Sequence, residues 1–202
     1  MHQHCSATAE RASRASDYVR FLHAWVRRPR QNGSIVPSSQ YLGRMMAAQI
    51  DPGAGRVMEL GGGTGALTRE ILATGLPAEQ LEIVEINAEF ARDLRRDFPG
   101  TTVLESPAQA ISAHAAGGAG GYQAIISGLP MLAMSKSLQR AIFAEAFKLL
   151  MPGGVLVQFT YSIRPPIARE VYESLGLDVR RVGHIVRNFP PATVFRFSRS
   201  GE

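Results

Sequence analysis

Residues 57–65 read Val-Met-Glu-Leu-Gly-Gly-Gly-Thr-Gly, and this stretch decides the fold. An apolar strand ends at Leu60, a glycine turn follows, and a helix-forming run occupies residues 66–72. Glycine lets such a turn approach a nucleotide closely, because it has no Cβ to collide with the ligand and adopts positive φ freely. The segment therefore predicts a nucleotide-binding strand, turn and helix. The spaced glycines of the turn are Gly61, Gly63 and Gly65.

A second apolar strand, residues 81–85, ends in another acidic residue, Glu85. It lies about twenty residues beyond the glycine turn, where a carboxylate accepts hydrogen bonds from a ribose diol. We therefore assign Glu85 to the nucleotide site and place its neighbour Ile86 in the same site.

The glycine pattern is compatible with two cofactors. Gly61-x-Gly63-x-x-Ala66 satisfies the dinucleotide fingerprint, which would indicate NAD. The longer pattern E-x-G-x-G-x-G resembles the first motif of class I S-adenosylmethionine (SAM) methyltransferases, in which the acidic residue, here Glu59, lies near the methionine end of the ligand. Gly65 also comes one position early for a dinucleotide site, and the rest of the chain is short for a separate hydride-acceptor domain. We therefore expect SAM, and we predict no metal site.

Composition is typical of a globular protein, and 202 residues suffice for one domain with a substantial core. The net charge of +5 comes mainly from arginine, which suits nucleic acid or an anionic membrane; arginine richness from genomic base composition explains it equally well. The single cysteine, Cys5, excludes an intramolecular disulfide. We find neither a bilayer-spanning run nor a secretory signal, and expect a cytoplasmic protein.

The first fifty residues predict two helices. Residues 15–28 combine an apolar, aromatic face with flanking arginines, a pattern typical of a helix at a membrane surface. A helix packed on the core with a solvated basic face is the alternative. A second helix is predicted from Pro37 to Ile50. We therefore divide the chain into N-terminal helices (1–50) and a catalytic domain (51–202). The membrane-binding candidates are Arg20, Phe21, Trp25, Arg27 and Arg28.

Strands and helices alternate through the rest of the chain, which predicts an α/β fold with a parallel sheet covered on both faces. The last two strands are joined by a short connection without a helix, so they should form an antiparallel hairpin. We expect residues 117–121 to form a flexible glycine loop. The predicted strands are 56–60, 81–85, 101–105, 123–127, 154–161, 178–186 and 192–198. The predicted helices are 65–74, 87–97, 107–116, 135–151 and 166–175.

Ligands of such sheets bind beyond the carboxyl ends of the strands. The third strand ends in Glu105-Ser106, where a polar side chain could meet the adenine amino group; a helix N-terminal charge is the alternative for Glu105. The fourth ends in Ser127-Gly-Leu-Pro130, and Met131 follows. Methyltransferases that act on nucleobase amino groups carry Asn or Asp at the first position and an aromatic residue at the fourth. Neither is present, which disfavours a planar base as substrate.

The remaining strands supply candidates for the substrate. Tyr161 and Arg164 follow the fifth strand, and His184, Arg187 and Asn188 belong to the final hairpin. We expect Tyr161 and Arg164 to face the same mouth. Arginine would hold a phosphate, and aromatic faces would attract a methylated ammonium. Together these residues suit an amine beside a phosphate.

The chain resembles the soluble bacterial phospholipid N-methyltransferases, which convert phosphatidylethanolamine to phosphatidylcholine in SAM-dependent steps. The resemblance runs from about Phe21 to Phe197. Gly62 departs from it, because proline is expected there more often and glycine should loosen the turn. The motifs that carry the resemblance are Phe21-Leu-x-x-Trp25, Gly33-Ser-Ile-Val-Pro-Ser38, Glu59 to Gly65, Val84-Glu85, Ser127-Gly-Leu-Pro130, Gln158-Phe-Thr-Tyr161 and Arg187-Asn-x-Pro-Pro191.

The resemblance implies a Rossmann-like enzyme of seven strands on the inner face of the cytoplasmic membrane, where anionic lipid binds the N-terminal helix and an aminophospholipid is the substrate. The candidates to orient the amine or take its proton are Tyr41, Tyr161 and His184. The expected cofactor residues are Glu59, Gly61, Gly63, Gly65, Glu85, Ile86, Glu105, Ser106, Ser127 and Leu129. The expected substrate residues are Ile35, Pro37, Ser38, Arg164, Arg187 and Asn188.

Three alternatives stay open. The first is a ribosomal RNA adenine N6-dimethyltransferase, whose basic surface would bind RNA, although we expect no nucleic-acid partner. The second is methylation of another amino lipid, such as an ornithine lipid. The third is a non-catalytic binding module, which the intact motif from Glu59 to Gly65 disfavours.

Overall fold

The computed structural model describes residues 37–186, 188 and 190–201, without the side chains of residues 37–39. The predicted helix 15–28 with its membrane-binding candidates, Ile35 and Arg187 all lie outside the described residues. Of Pro37 and Ser38, the backbone alone is described, at the start of a helix. None of the helices within the described part of the chain has both the length and the hydrophobicity required to span a bilayer.

The described residues contain seven strands in one sheet. They are β1 (Arg56–Leu60), β2 (Leu81–Glu85), β3 (Thr102–Glu105), β4 (Tyr122–Ser127), β5 (Leu150–Thr160), β6 (Leu177–Ile185) and β7 (Ala192–Arg199). Their order is β3-β2-β1-β4-β5-β7-β6, with β1 to β5 parallel and β7 antiparallel to both of its neighbours. The predicted Rossmann-like α/β fold with a C-terminal antiparallel hairpin is confirmed.

Five α-helices lie in the described residues: α1 (Pro37–Ala47), α2 (Ala66–Leu72), α3 (Ala88–Asp97), α4 (Lys136–Leu149) and α5 (Arg169–Ser174). Side-chain caps fix the start of two of them. The Asn87 side chain accepts hydrogen bonds from the first-turn amides of α3, and the Ser135 hydroxyl accepts one from the Leu138 amide of α4. Such caps satisfy backbone donors that have no partner within the helix.

Several predicted boundaries were wrong. Residues 107–116 form a 3-10 helix over Ala108–Ala113 and no α-helix, because Ile111 is the one large apolar side chain that anchors this small-residue segment. The predicted helix 166–175 begins later, at Arg169, after two prolines. The helix predicted over 135–151 ends at Leu149, and β5 begins at Leu150. Its pairing with β4 jumps from Tyr122–Leu150 to Ala124–Val155, so the intervening residues bulge.

Hydrophobic clusters cover both faces of the sheet. One contains the aromatic residues of α4 and β7, including Phe143 and Phe197. The other contains α1 residues such as Leu42 and Met46 together with the opposite face of the sheet. The predicted domain boundary at residue 50 stays a prediction; α1, on its N-terminal side, shares this second cluster with residues beyond it.

The amino edge of the sheet, where the parallel strands begin, is closed by a buried polar network. The fully buried Glu82 carboxylate accepts hydrogen bonds from the Tyr122 hydroxyl and the Ala116 amide. The Tyr122 oxygen in turn accepts one from the Gly117 amide at 2.9 Å. Burial, and then the hydrogen bond to Glu82, raise the pKa of Tyr122. This network ties the start of glycine loop 117–121 to the sheet.

Candidate active site

The glycine turn lies at the carboxyl edge of the sheet, between β1 and α2. Gly63 has a φ of 52°, and a Cβ built on it would meet nothing within 4 Å. Gly65 has a φ of 75°, and its Cβ would lie 2.3 Å from the Phe98 ring. Glycine is therefore required at Gly65 by both conformation and packing. At Gly63 the backbone borders open space that a ligand can occupy.

Gly62 is held by packing. A Cβ there would lie 2.5 Å from Ile83 and 2.7 Å from Leu94. Its amide also donates to the carbonyl of Val84 at 3.3 Å. A proline would lose this hydrogen bond and collide with both side chains, so the glycine packs the turn closely against β2 and α3. The expectation of a loosened turn was therefore wrong.

Glu59 is a buried carboxylate that can accept further hydrogen bonds. It is fully buried, and one of its oxygens accepts a hydrogen bond from the Thr68 hydroxyl at 2.6 Å. The other oxygen has no hydrogen-bond partner within the described residues. Burial raises the pKa of Glu59 to about 8; the Thr68 hydrogen bond opposes this rise, and the charge of Glu85 adds to it. An unpaired buried carboxylate oxygen is costly, so this atom marks the place for a donor from a ligand.

Glu85 joins the glycine turn to the loop after β2. One carboxylate oxygen accepts from the Gly63 amide at 2.9 Å and the other from the Asn87 amide at 2.8 Å. Carboxylate oxygens have about four lone-pair sites between them, so acceptor capacity remains for a ribose diol. The adjacent Ile86 is 71% exposed at the same edge, and its assignment to the cofactor site stays a prediction.

Glu105 and Ser106, at the end of β3, differ in burial. Glu105 is exposed, and one of its carboxylate oxygens lies 3.9 Å from the Arg95 guanidinium. The Ser106 side chain is buried and donates to the Pro107 carbonyl at 3.3 Å. Both lie at the carboxyl end of β3, beside β2, so their assignment to the adenine side stays a prediction.

Two buried glutamines hold the loop after β4, and sequence reasoning did not assign either to the site. Gln158 donates from its amide nitrogen to the Leu129 carbonyl at 2.9 Å. Gln139 donates to the carbonyls of Met131 and Met134. The signal for Gln158 was a polar residue inside an apolar strand, next to the quoted Tyr161 motif.

The side chains at the start of this loop are buried rather than exposed to a ligand. Ser127 is fully buried, and its hydroxyl accepts a hydrogen bond from the Leu129 amide at 3.4 Å. Pro130 takes the fourth position, where the aromatic residue is usual, and Met131 after it is 1% exposed and belongs to the core. The loop therefore offers neither a side-chain amide nor a flat ring at this end.

The three proton-handling candidates do not share one face of the sheet. Tyr161 packs with the α1-side cluster, and its ring lies edge-on to Phe159 at 5.4 Å between centroids. His184 bonds through Nδ1 to the Thr193 hydroxyl at 2.9 Å. Thr193 alternates with Ala192 and Val194, which belong to the α1-side cluster, so Thr193 and His184 lie on the other face. Tyr161 and His184 therefore approach the edge from opposite sides.

The direction of α1 shows that Tyr41 lies near the carboxyl edge of the sheet. The segment after α1 reaches the amino edge, where the Gln123 side chain bonds the backbone of Asp51. The helix therefore begins towards the carboxyl edge. Tyr41, in its second turn, is 45% exposed there.

Two of the substrate candidates are described with side chains. Arg164 is exposed on a loop shaped by two local hydrogen bonds, from the Ser162 amide to the Thr160 hydroxyl and from the Arg164 amide to the Ser162 hydroxyl. Its guanidinium forms no ion pair with the described residues. Asn188 is buried and donates to the Pro190 carbonyl at 2.7 Å, which gives it a role in shaping the final turn.

Comparison with known proteins agrees with this geometry. No protein-family model matches the chain. An ornithine lipid N-methyltransferase from Singulisphaera acidiphila is 30% identical over 185 residues, which cover 89% of this chain and 94% of the relative. The structure of magnesium protoporphyrin IX methyltransferase from Synechocystis PCC 6803 with bound SAM has a TM-score of 0.64 at 14% identity, over 94% of this chain and 97% of that one. A glycopeptide N-methyltransferase complexed with SAM has a TM-score of 0.61 at 14% identity, over 85% and 99%.

The fold and the glycine-turn site define a class I SAM-dependent methyltransferase. The unpartnered Glu59 oxygen, the open space at Gly63 and the Glu85 carboxylate suit an amino acid joined to a nucleoside, so SAM is the cofactor and the NAD alternative is set aside. Within this class, the chain belongs to the lipid N-methyltransferase family represented by the Singulisphaera acidiphila enzyme.

Proposed function

We propose that the protein methylates the amine of phosphatidylethanolamine and of its partly methylated intermediates, forming phosphatidylcholine at an anionic membrane surface on the inner face of the cytoplasmic membrane. The observation that supports an amino-lipid substrate is the composition of the loop after β4. A nucleobase amino group is usually held by a side-chain amide or carboxylate and a stacking ring, whereas this loop has Ser127 and Pro130 in those positions, and the Met131 side chain is buried. An alkyl amine needs no stacking partner, so this loop favours it over adenine.

SAM, when bound, supplies an electrophilic methyl group to a neutral nitrogen. Glu59 and Glu85 would hold its amino-acid and ribose ends. The amine must lose a proton before it attacks, and Tyr41, which is exposed near the edge, and Tyr161 are the candidates on the α1 side. His184 remains a candidate from the other face. Arg164 would bind the anionic part of the headgroup, and the Phe159–Tyr161 ring pair would attract the ammonium product.

One observation favours a second substrate. The relative that is 30% identical is named an ornithine lipid N-methyltransferase. An ornithine lipid likewise joins an amine to an anionic group, so Arg164 could serve either headgroup. Methylation of an ornithine lipid is therefore our second candidate function.

Labelled methyl transfer from SAM tests both candidates. Phosphatidylethanolamine in anionic vesicles, ornithine lipid in matched vesicles and ribosomal RNA would be offered in parallel. We expect label in phosphatidylethanolamine. Label confined to ornithine lipid would select the second candidate, and label in RNA would contradict both.

The variant Arg164→Gln, with Arg169→Gln as its matched control, tests the anion contact. Arg169 is a neighbouring exposed arginine that is paired with Glu173. We expect Arg164→Gln to raise the KM for the lipid while the control leaves it unchanged. Equal KM values for the two variants would remove Arg164 from the site.

A further inference from the structure

Large apolar side chains are exposed in one region of the described structure. Five such residues are exposed: Tyr41, Ile86, Leu132, Ile163 and Val186. Single exposed apolar residues are ordinary when they are scattered over a protein surface. Here four of the five lie in loops that follow the carboxyl ends of strands, and Tyr41 lies near the start of α1. This confinement to one edge of the sheet requires an explanation.

Three of these residues lie on neighbouring loops. Leu132 follows β4, Ile163 follows β5 and Val186 follows β6, and these strands belong to one half of the sheet, in the order β4-β5-β7-β6. Their exposed fractions are 51%, 74% and 75%. We call the loops 128–135 and 161–168, together with Val186, the apolar rim. They border the place where Ser127, Leu129 and Tyr161 meet the edge.

The charge of the apolar rim has a single sign. Its residues include no aspartate or glutamate, and they include Arg164. Glu170, shortly after the second loop, is paired with Lys136. Exposed aliphatic side chains combined with arginine and without acidic residues suit the boundary between lipid headgroups and acyl chains, where anionic lipid attracts the positive charge. A protein partner would require no such charge bias.

We infer that the apolar rim docks directly on an anionic lipid surface, with Leu132, Ile163 and Val186 entering the acyl boundary and Arg164 at headgroup level. This inference rests on the proposed function for its purpose, because a site that faces the bilayer receives a lipid headgroup without extracting the lipid. It assigns membrane contact to the catalytic fold itself, in addition to the predicted helix 15–28. The amino edge then faces away from the membrane.

A site-specific fluorescent label tests this orientation in the full chain. The single cysteine makes this practical: in a Cys5→Ser background, Ile163→Cys and Ala73→Cys would each carry an NBD label. Ala73 is exposed just after α2, at the amino edge, and serves as the control position. Vesicles of phosphatidylcholine with and without phosphatidylglycerol would be added. We expect a severalfold rise and a blue shift of emission at position 163 with the anionic vesicles, and no change at position 73.

A second measurement uses sedimentation with the same vesicles. The triple variant Leu132→Ser, Ile163→Ser, Val186→Ser should lose most of its vesicle-bound fraction, whereas Leu132→Ile, Ile163→Leu, Val186→Ile should retain it. Circular dichroism and SAM binding would establish that both variants are folded.

Three results would overturn the inference: an unchanged label at position 163 while the protein sediments, equal sedimentation of the two triple variants, or emission at position 163 that is already blue-shifted without lipid. The last would mean that another part of the chain covers the rim. Methyl transfer to lipid in detergent micelles tests the proposed function separately, because it requires no docking on a bilayer. Transfer in micelles without label insertion would reject the rim alone, and insertion without transfer would reject the substrate alone.

Discussion

Two fully buried carboxylates lie on adjacent strands, and their surroundings differ. Glu82 on β2 accepts hydrogen bonds from the Tyr122 hydroxyl and the Ala116 amide. Glu59 on β1 accepts one from Thr68 and leaves an oxygen unpartnered in the described structure. Buried carboxylates are costly unless they are hydrogen-bonded. The protein itself therefore satisfies Glu82, which stabilises the fold, whereas we expect a donor from the cofactor to complete the hydrogen bonding of Glu59.

The largest effect should follow from Glu59→Gln. The substitution removes the charge that would meet the SAM ammonium, and a hydrogen bond to a charged group contributes about 1.5–3 kcal/mol. We expect SAM affinity to fall by about 10- to 150-fold, measured by calorimetry, while thermal stability stays equal or rises. Glu82→Gln is the matched control and should bind SAM normally. Equal losses of affinity in the two variants would remove the distinction between the carboxylates.

The second effect concerns the stability of the fold, which should depend on Glu82. Glu82→Gln should lower the free energy of unfolding by about 1–3 kcal/mol, because it replaces one acceptor oxygen by a donor that faces the Ala116 amide. Tyr122→Phe should lower it by a similar amount, and the double variant by less than the sum, since the residues share one network. Urea titrations measure all three. Strict additivity would contradict the shared network.

A third effect concerns pH. Burial raises the pKa of Glu59 from 4.5 to about 8, so between these values the folded protein holds a proton that the unfolded chain releases. The stabilising contribution of this proton is complete below about pH 4.5 and disappears as the pH rises through about 8. Unfolding midpoints measured across this range should therefore fall more steeply for the wild-type protein than for Glu59→Gln. Parallel pH profiles would show that Glu59 is already ionised in the free protein.

The smallest effect should come from Thr68→Val, which removes the hydrogen bond that the Thr68 hydroxyl donates to Glu59. The pKa of Glu59 should rise further, since this bond opposes the effect of burial. We expect SAM affinity at pH 7 to fall by less than tenfold, about 1 kcal/mol, and to recover as the pH is raised. Thr68→Ser is the control and should keep both affinity and pH profile. A loss that pH does not restore would indicate a packing defect.

The sequence allowed the glycine turn and the SAM cofactor to be predicted because the strand, turn and helix of residues 56–72 are contiguous. The cofactor roles of Glu59 and Glu85 stay predictions. Glu82 could not be assigned in this way, since its partner Tyr122 lies 40 positions away along the chain. The separation of Tyr161 from His184 depends on the register of β7 with its neighbours, including a shift between Arg181 and Gly183. Periodicity within one strand does not determine that register.

Gly62 constrains how the chain can diverge. Its missing Cβ is matched by Ile83 and Leu94, which occupy the space that any side chain would need. A larger residue at this position would require Ile83 and Leu94 to shift or to be replaced by smaller residues on β2 and α3. We therefore expect the three positions to be epistatic, so that the order in which they are substituted affects the stability of the intermediates.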